Sequence, residues 1–220
     1  GVQTCALPIF FAHLTMTIVV VANPKGGAGK STLATQIAGY YASLGHAVAL
    51  SDLDKQGSAD LWRQLRPPAA NPVHAWPSEQ DKLPKLPKGL SHGVIDTPAG
   101  LHGWRLREIL EKADKIVIPL QPSIFDMHAT REFFDLLASK SKGIQARARW
   151  VGMRVDERTL AAGQLHDFAQ SLPIERITNL RSTQYYLHMA AHGLTLFDLQ
   201  PHRVEKDLEQ WQPLCQWLTT

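Results

Sequence analysis

The amino-acid sequence predicts an α/β fold: a single doubly wound domain around a mostly parallel central sheet. Three observations predict it. Apolar β-branched runs alternate with helical patterns along most of the chain, the first such run opens directly into a glycine-rich loop, and 220 residues suffice for one sizeable core rather than two.

Thr17 to Ala22 is a continuous apolar run, as a central parallel strand covered on both faces requires. Lys30 to Leu44 carries Leu33, Ile37 and Tyr40 or Tyr41 at helical spacing, and Gly45 supplies the stop. His46 to Ser51 reads as the second strand, Ser58 to Leu65 as a short helix, and His92 to Asp96 as a strand that runs into Thr97-Pro98-Ala99-Gly100. Strands are expected at Lys115 to Leu120 and Ala148 to Met153, with helices at Gly103 to Glu111 and Asp126 to Ser139. Helices over Leu160 to Ser171 and Ser182 to Ala191, a short strand near Ile174 to Ile177, and a terminal helix from Val204 to Trp217 complete the alternation. Pro67 to Pro87, rich in proline and polar residues, reads as an irregular surface excursion.

The domain is read as residues 16–220. Residues 1–15 are expected to be a non-native leader, because Gly1-Val2-Gln3-Thr4-Cys5-Ala6-Leu7-Pro8-Ile9 resembles a translated sequencing adapter and a start at Met16 would feed the first strand at once. A signal peptide is disfavoured, since the stretch lacks a basic leading region. Without Cys5, Cys215 stands alone, which excludes an intramolecular disulfide and a Cys-x-x-Cys metal or cluster site and points to a reducing cytoplasm. No apolar run approaches the roughly 20 residues needed to cross a bilayer. A net charge of +3 permits contact with nucleic acid without demanding it.

The loop Lys25-Gly26-Gly27-Ala28-Gly29-Lys30-Ser31-Thr32 carries the clearest chemistry. A phosphate chain needs backbone N–H groups pointing inward and the positive end of a helix behind them, and a glycine-rich loop entering a helix supplies both. Gly26, Gly27, Ala28 and Gly29 form such a cradle. Lys30 is expected to reach the β- and γ-phosphates, Ser31 to put its hydroxyl on magnesium, and Thr32 to contact the α-phosphate. Pro24 stands where the strict Walker A pattern has glycine, so this is a deviant form of the P-loop. Lys25 adds a second ammonium at the entrance, which a single-site cradle does not require.

Asp52-Leu53-Asp54-Lys55-Gln56-Gly57-Ser58 ends the second strand, and a doubly wound sheet brings it to the same carboxyl edge as the loop. Two carboxylates there can serve magnesium and water, or can cap the helix that follows. Val94-Ile95-Asp96-Thr97-Pro98-Ala99-Gly100 is an apolar strand ending in a carboxylate and followed by a flexible turn. That is the physical form of a Walker B strand with its switch, and Asp96 is expected to hold magnesium through water.

Together these segments resemble the ParA/MinD family of deviant Walker A ATPases, most closely a short ParA partition ATPase, from Met16 to about Leu199. The resemblance implies a P-loop NTPase fold, ATP and Mg2+ as cofactors, hydrolysis to ADP and phosphate, and a homodimer formed on ATP binding in which Lys25 reaches the partner's nucleotide. By the same resemblance Asp54 positions the attacking water and Asp52 supports the metal site, although Lys55 stands where a proline is common. Lys25, Lys30 and Asp54 are thus the expected catalytic residues, and Ser31, Asp52 and Asp96 the expected metal residues. Arg154 in Met153-Arg154-Val155 matches a position near the nucleotide base. Pro122 and Asp126 either approach the dimer face or form only a strand end and a helix cap.

In the resembled family the ATP dimer binds DNA nonspecifically, through phosphates and without reading sequence. Lys140, Lys142, Arg147, Arg149, Arg154 and Arg158, with Arg176, Arg181, Arg203 and Lys206, would supply such contacts here or form an ordinary solvated face. Partition of a plasmid or chromosome, a small ParB-like partner that stimulates hydrolysis, and a cytoplasmic location that becomes nucleoid-associated with ATP complete the implication. The rivals are a MinD-like or other cargo-positioning ATPase and a metabolic ATP-dependent amidation or ligation enzyme. The terminal stripe of Leu208, Trp211 and Leu214 reads as a packed core helix. Glu205, Asp207 and Glu209 on its polar face would be repelled by anionic lipid, so no membrane partner is expected. The histidines show no metal-ligand spacing.

Overall fold

The computed structural model describes residues 16–77, 86–140 and 142–220, and of Lys140 and Lys142 the backbone alone. The expected leader, residues 1–15, and part of the proline-rich excursion lie outside the described residues. The strands are β1 (Thr17–Val21), β2 (Val48–Asp52), β3 (Val73–Ala75), β4 (His92–Asp96), β5 (Lys115–Leu120), β6 (Ala148–Met153) and β7 (Arg176–Leu180). The helices are α1 (Lys30–Ser43), α2 (Ser58–Leu65), α3 (Gly103–Lys112), α4 (Ile124–Lys140), α5 (Lys142–Ala146), α6 (Leu160–Gln170), α7 (Gln184–Ala190) and α8 (Glu205–Thr219).

The strands form one sheet in the order β3-β2-β4-β1-β5-β6-β7, and every pairing among the described residues is parallel. The expected doubly wound architecture follows from alternation along each strand. Val19, Val21, Val48, Leu50, Val94 and Val151 pack against Leu33, Ile37 and Tyr41 of α1 and Trp211, Leu214 and Leu218 of α8. Val20, Ala49, Ile95, Ile116, Ile118 and Trp150 face the opposite way, onto α3, α4 and α6 through Leu106, Leu110, Phe134, Leu137 and Leu165. With both faces covered, the central strands need apolar residues, and β1, β2, β4 and β5 read as such.

Three elements depart from expectation, one of them α5, a short helix between α4 and β6 where none was expected. β3 lies within the stretch expected to be irregular: its three residues are too few to show a period, yet Val48 pairs with Val73 and Leu50 with Ala75. β7 spans Arg176–Leu180 rather than 174–177, because Ile174 is a buried core residue ahead of the strand and the β6–β7 ladder shifts register between Trp150 and Val151. α8 is the packed core helix expected from its stripe, with Trp211 and Leu214 fully buried. The Tyr41 hydroxyl donates to Leu218 O at 3.0 Å and Lys115 Nζ to Trp217 O at 2.6 Å, satisfying carbonyls of its last turn. No helix among the described residues is long and apolar enough to cross a membrane.

α2 is fixed at its far end. Arg66 donates to both carboxylate oxygens of Asp198, at 2.8 and 3.0 Å, and to Gly193 O at 3.0 Å, with both charged side chains buried. Gly193 has φ 65°, and a Cβ there would lie 2.3 Å from Arg66 N, so only glycine lets the two segments meet. Trp62 Nε1 adds a bond to Leu194 O at 3.1 Å.

Candidate active site

The carboxyl ends of β1, β2, β4, β5 and β6 meet along one edge of the sheet, and the glycine loop sits there between β1 and α1. Gly29 has φ 103° and a Cβ on it would come within 3.0 Å of Met153 Cε, so the turn into α1 excludes a side chain. α1 has no side-chain cap and no acidic residue in its first turn. Its leading N–H groups are therefore left to an anion, which the helix dipole favours.

Ties to distant strands shape the loop. The buried Asn23 side chain donates to Pro119 O (2.6 Å) and Thr130 Oγ1 (3.2 Å) and accepts from Lys25 N (2.7 Å). Gln121 Nε2 donates to Gly27 O at 2.6 Å, and Gly100 N to Pro24 O at 2.8 Å. The last of these couples the turn after β4 to the glycine loop. Sequence reasoning missed Asn23 and Gln121; the available signal was an amide directly after each of two apolar strands, where its donors must find partners.

Lys30 is buried, and its Nζ donates to Lys25 O at 2.7 Å across the loop. Burial pushes its pKa down, while Asp96 and then Asp54 pull it back up. Asp96, opposite Val21 and Asp52 in the sheet register, is 1% exposed, and neither carboxylate oxygen has a hydrogen-bond partner. Burial raises its pKa to about 7; the nearby Ser31 hydroxyl, outside hydrogen-bond geometry, pulls down, Asp52 pushes up, Lys30 pulls down and Asp54 pushes up. A buried carboxylate without donors is costly unless a cation or its water shell supplies them. The Ser31 hydroxyl and Asp96 thus fit a divalent ion shared with phosphate oxygens, the hard-oxygen set that magnesium prefers. No group of three or more acidic, histidine or cysteine side chains suited to a metal occurs among the described residues. Ser31 and Thr32 lie half-buried in the first turn of α1.

The Asp52 carboxylate is taken up by backbone amides. Its Oδ1 accepts from Asp54 N at 2.9 Å, and its Oδ2 from Ala59 N at 2.8 Å and Asp60 N at 3.0 Å. Of the two uses open to this pair of carboxylates, helix capping is the one Asp52 makes. Asp54 is half-buried, with Oδ1 accepting from Gln56 N at 3.0 Å and its carbonyl from Gly57 N at 2.9 Å.

Lys25 is half-buried at the loop entrance, and its ammonium makes no hydrogen bond or ion pair among the described residues. It acts through space on Asp126, buried in the first turn of α4, whose pKa burial raises and Lys25 lowers. Pro122 follows β5 on the same edge. Arg154, exposed at the end of β6, has φ 56° and is the one non-glycine residue with positive φ among the described residues. Such a conformation costs on the order of 1–3 kcal/mol and concentrates at functional positions.

The basic residues do not share one face. Arg147, Arg149 and Arg176 lie at the amino edge: Arg147 donates to Ala113 O and Gly143 O, Arg149 pairs with Glu175 at 3.2 Å and sits over Trp217, and Arg176 sits over Trp150. Arg154 and Arg158 follow β6 and Arg181 follows β7 at the carboxyl edge, where Arg158 pairs with Asp156 at 2.9 Å and Arg181 with Asp207 at 2.7 Å. Arg203 and Lys206 are exposed beside Asp207. The side chains of Lys140 and Lys142 lie outside the described residues.

Residues 19–206 match the family model for the CobQ/CobB/MinD/ParA nucleotide binding domain. The chain is 35% identical over 112 residues to Maintenance of carboxysome distribution protein A of Gloeobacter kilaueensis, covering 50% of this chain and about half, 51%, of that relative. It is 29% identical over 182 residues to Chromosome-partitioning ATPase Soj of Thermus thermophilus, covering 67% of this chain and 73% of that one. Among solved structures, the ATP complex of a McdA variant from Cyanothece has the same fold, with a TM-score of 0.68 at 18% identity over 90% of this chain and 96% of that one.

Proposed function

We propose that this chain, which belongs to the CobQ/CobB/MinD/ParA nucleotide-binding family, is a dimerising ATPase switch that partitions plasmid or chromosomal DNA. The observation that carries the reading is the second ammonium. Lys30 already occupies the centre of the loop, whereas Lys25 stands at its mouth with no hydrogen bond or ion pair to its ammonium among the described residues and only a through-space influence on Asp126. A triphosphate in the cradle of a second copy is the anion that Lys25 meets, so nucleotide state controls assembly.

ATP and Mg2+ are the cofactors. The metal neutralises phosphate charge; the chain's residues do the rest. Gly26 to Gly29 present backbone N–H groups to the phosphates, Lys30 meets the β- and γ-phosphates, and Thr32 the α-phosphate. Ser31 and Asp96 are the residues that would hold the metal. The Asp54 carboxylate orients the water that bonds to the γ-phosphorus as the bond to the β-phosphate oxygen breaks, the water's hydrogens leaving on the inorganic phosphate or to solvent and ADP retaining the bond's electrons. Arg154, held in its strained conformation at the same edge, lies toward the base.

Arg154, Arg158, Arg181, Arg203 and Lys206, gathered toward the β6–β7 end of the carboxyl edge, support nonspecific phosphate contact by the ATP dimer. A small ParB-like protein stimulates hydrolysis and releases the dimer, and the protein works in the cytoplasm, on the nucleoid when ATP is bound. A second reading, positioning of a protein cargo by the same switch, is favoured by the identity with the carboxysome-distribution relative. Co-sedimentation separates the outcomes. Retention on nonspecific DNA is expected with ATP, lost with ADP and falling steeply with salt. No retention on DNA with any nucleotide would reject the DNA role, and capture by anionic liposomes instead would favour a membrane-surface ATPase. Turnover that appears only when a small carboxylate substrate is added would favour the metabolic rival.

A further inference from the structure

We infer that Asp52 is a positioning residue that clamps the loop carrying Asp54, and is not a ligand of the metal; the inference rests on the proposed role of Asp54 in orienting water. α2 begins after Gly57, which has φ 65° and no side chain to cap the first-turn amides. Those amides need an acceptor from elsewhere. Asp52 supplies it from the end of β2, seven and eight residues upstream, accepting from Ala59 N and Asp60 N with Oδ2 and from Asp54 N with Oδ1.

One carboxylate therefore binds both ends of the 53–57 loop. Inside that clamp the Asp54 carbonyl takes Gly57 N and its Oδ1 takes Gln56 N, while Leu53 N is held by Asp96 O at 2.9 Å. These bonds fix the backbone of Asp54 relative to the strand that carries Asp96. α2 cannot recoil to relax them, because Arg66 and Trp62 anchor it to the segment around Gly193 to Asp198. The negative charge of Asp52 suits a helix N-terminus as well as it would suit a cation. Turning it onto a metal would strip the acceptor from three backbone N–H groups.

The clamp and the ligand roles differ in what they control. Asp52→Asn keeps the shape but leaves one carbonyl oxygen where two carboxylate oxygens served, so the Asp54 loop loosens. The expected result is a fall in kcat of about 10- to 100-fold, as for a modest misplacement of a reacting group. The Mg2+ concentration for half-maximal activity and the ATP affinity should each change by less than about twofold. Adding D52N to D54N should lower turnover no further. A tenfold or larger rise in the Mg2+ requirement, or independent losses in the double variant, would overturn the inference. Wild-type turnover in D54N would instead sink the assignment of Asp54. The clamp itself has a separate readout: without nucleotide, the amides of Asp54, Ala59 and Asp60 should be protected from hydrogen exchange in the wild-type chain. They should exchange at least about tenfold faster in D52N. Rapid exchange of those amides in the wild type contradicts the clamp even where D52N does not fold.

Discussion

Asp96→Asn is expected to stabilise the nucleotide-free protein at pH 8 while removing magnesium-dependent turnover. The carboxyl group is 1% exposed, has no hydrogen-bond partner, and is held at a pKa of about 7 against an ordinary 3.8. Below about pH 4 both folded and unfolded chains carry the proton. Between pH 4 and 7 the unfolded chain ionises while the fold retains its proton, so stability falls as pH rises and levels off above 7. The full penalty is about 4 kcal/mol. Asparagine escapes it but buries an amide whose own unpaired groups cost about 1–2 kcal/mol. A net gain of roughly 2 kcal/mol should appear in urea denaturation at pH 8 and shrink at pH 5. Turnover should fall at least about 100-fold if Asp96 serves the metal as proposed, since a neutral amide is a poorer partner for a divalent ion than a carboxylate. Equal stabilities at pH 8 would mean that Asp96 is not an isolated buried carboxylate in the empty fold.

Asp54→Ala should slow hydrolysis by about 100- to 1000-fold and leave nucleotide binding close to the wild-type level. The alanine variant keeps the backbone bonds from Asp54 N to Asp52 and from Gly57 N to Asp54 O, and gives up one side-chain bond, to Gln56 N. The loop therefore survives, and what disappears is the carboxylate at the phosphate end of the site. With hydrolysis blocked, the ATP state should persist. Phosphate release measured beside nucleotide binding separates the two effects, and wild-type turnover would reject Asp54 as the water-orienting group.

The glycine loop and its place between β1 and α1 were legible in the sequence because they are built from contiguous residues: a strand, three glycines, Lys30 and Ser31 in fixed order. Asp96 was legible for the same reason, as the polar end of an apolar strand. Asn23 and Gln121 were not, since the groups they bind lie 94 to 107 residues away and only the sheet order brings them together. Asp52 sits between two readings because a carboxylate at a strand end suits a metal and a helix N-terminus equally; its three backbone contacts, which only the fold brings together, support the second. The basic residues show the opposite failure. Arg149 and Arg154 are neighbours in sequence, yet β6 carries the chain from one edge of the sheet to the other between them. Two of the histidines are packing groups at the amino edge: His92 stacks on His46 and Tyr41, and burial, with His46 beside it, pushes its pKa down to about 4.

The proposed switch depends on Lys25 leaving its own subunit's surface for the triphosphate of another. Light scattering on the full chain, with Mg2+ and a non-hydrolysable ATP analogue at saturation, measures that step without DNA or partner protein. The wild-type molar mass should double on adding the analogue, and Lys25→Ala should bind the analogue and remain a monomer. A wild-type chain that stays monomeric when saturated, or a Lys25→Ala variant that pairs as readily, would contradict the switch.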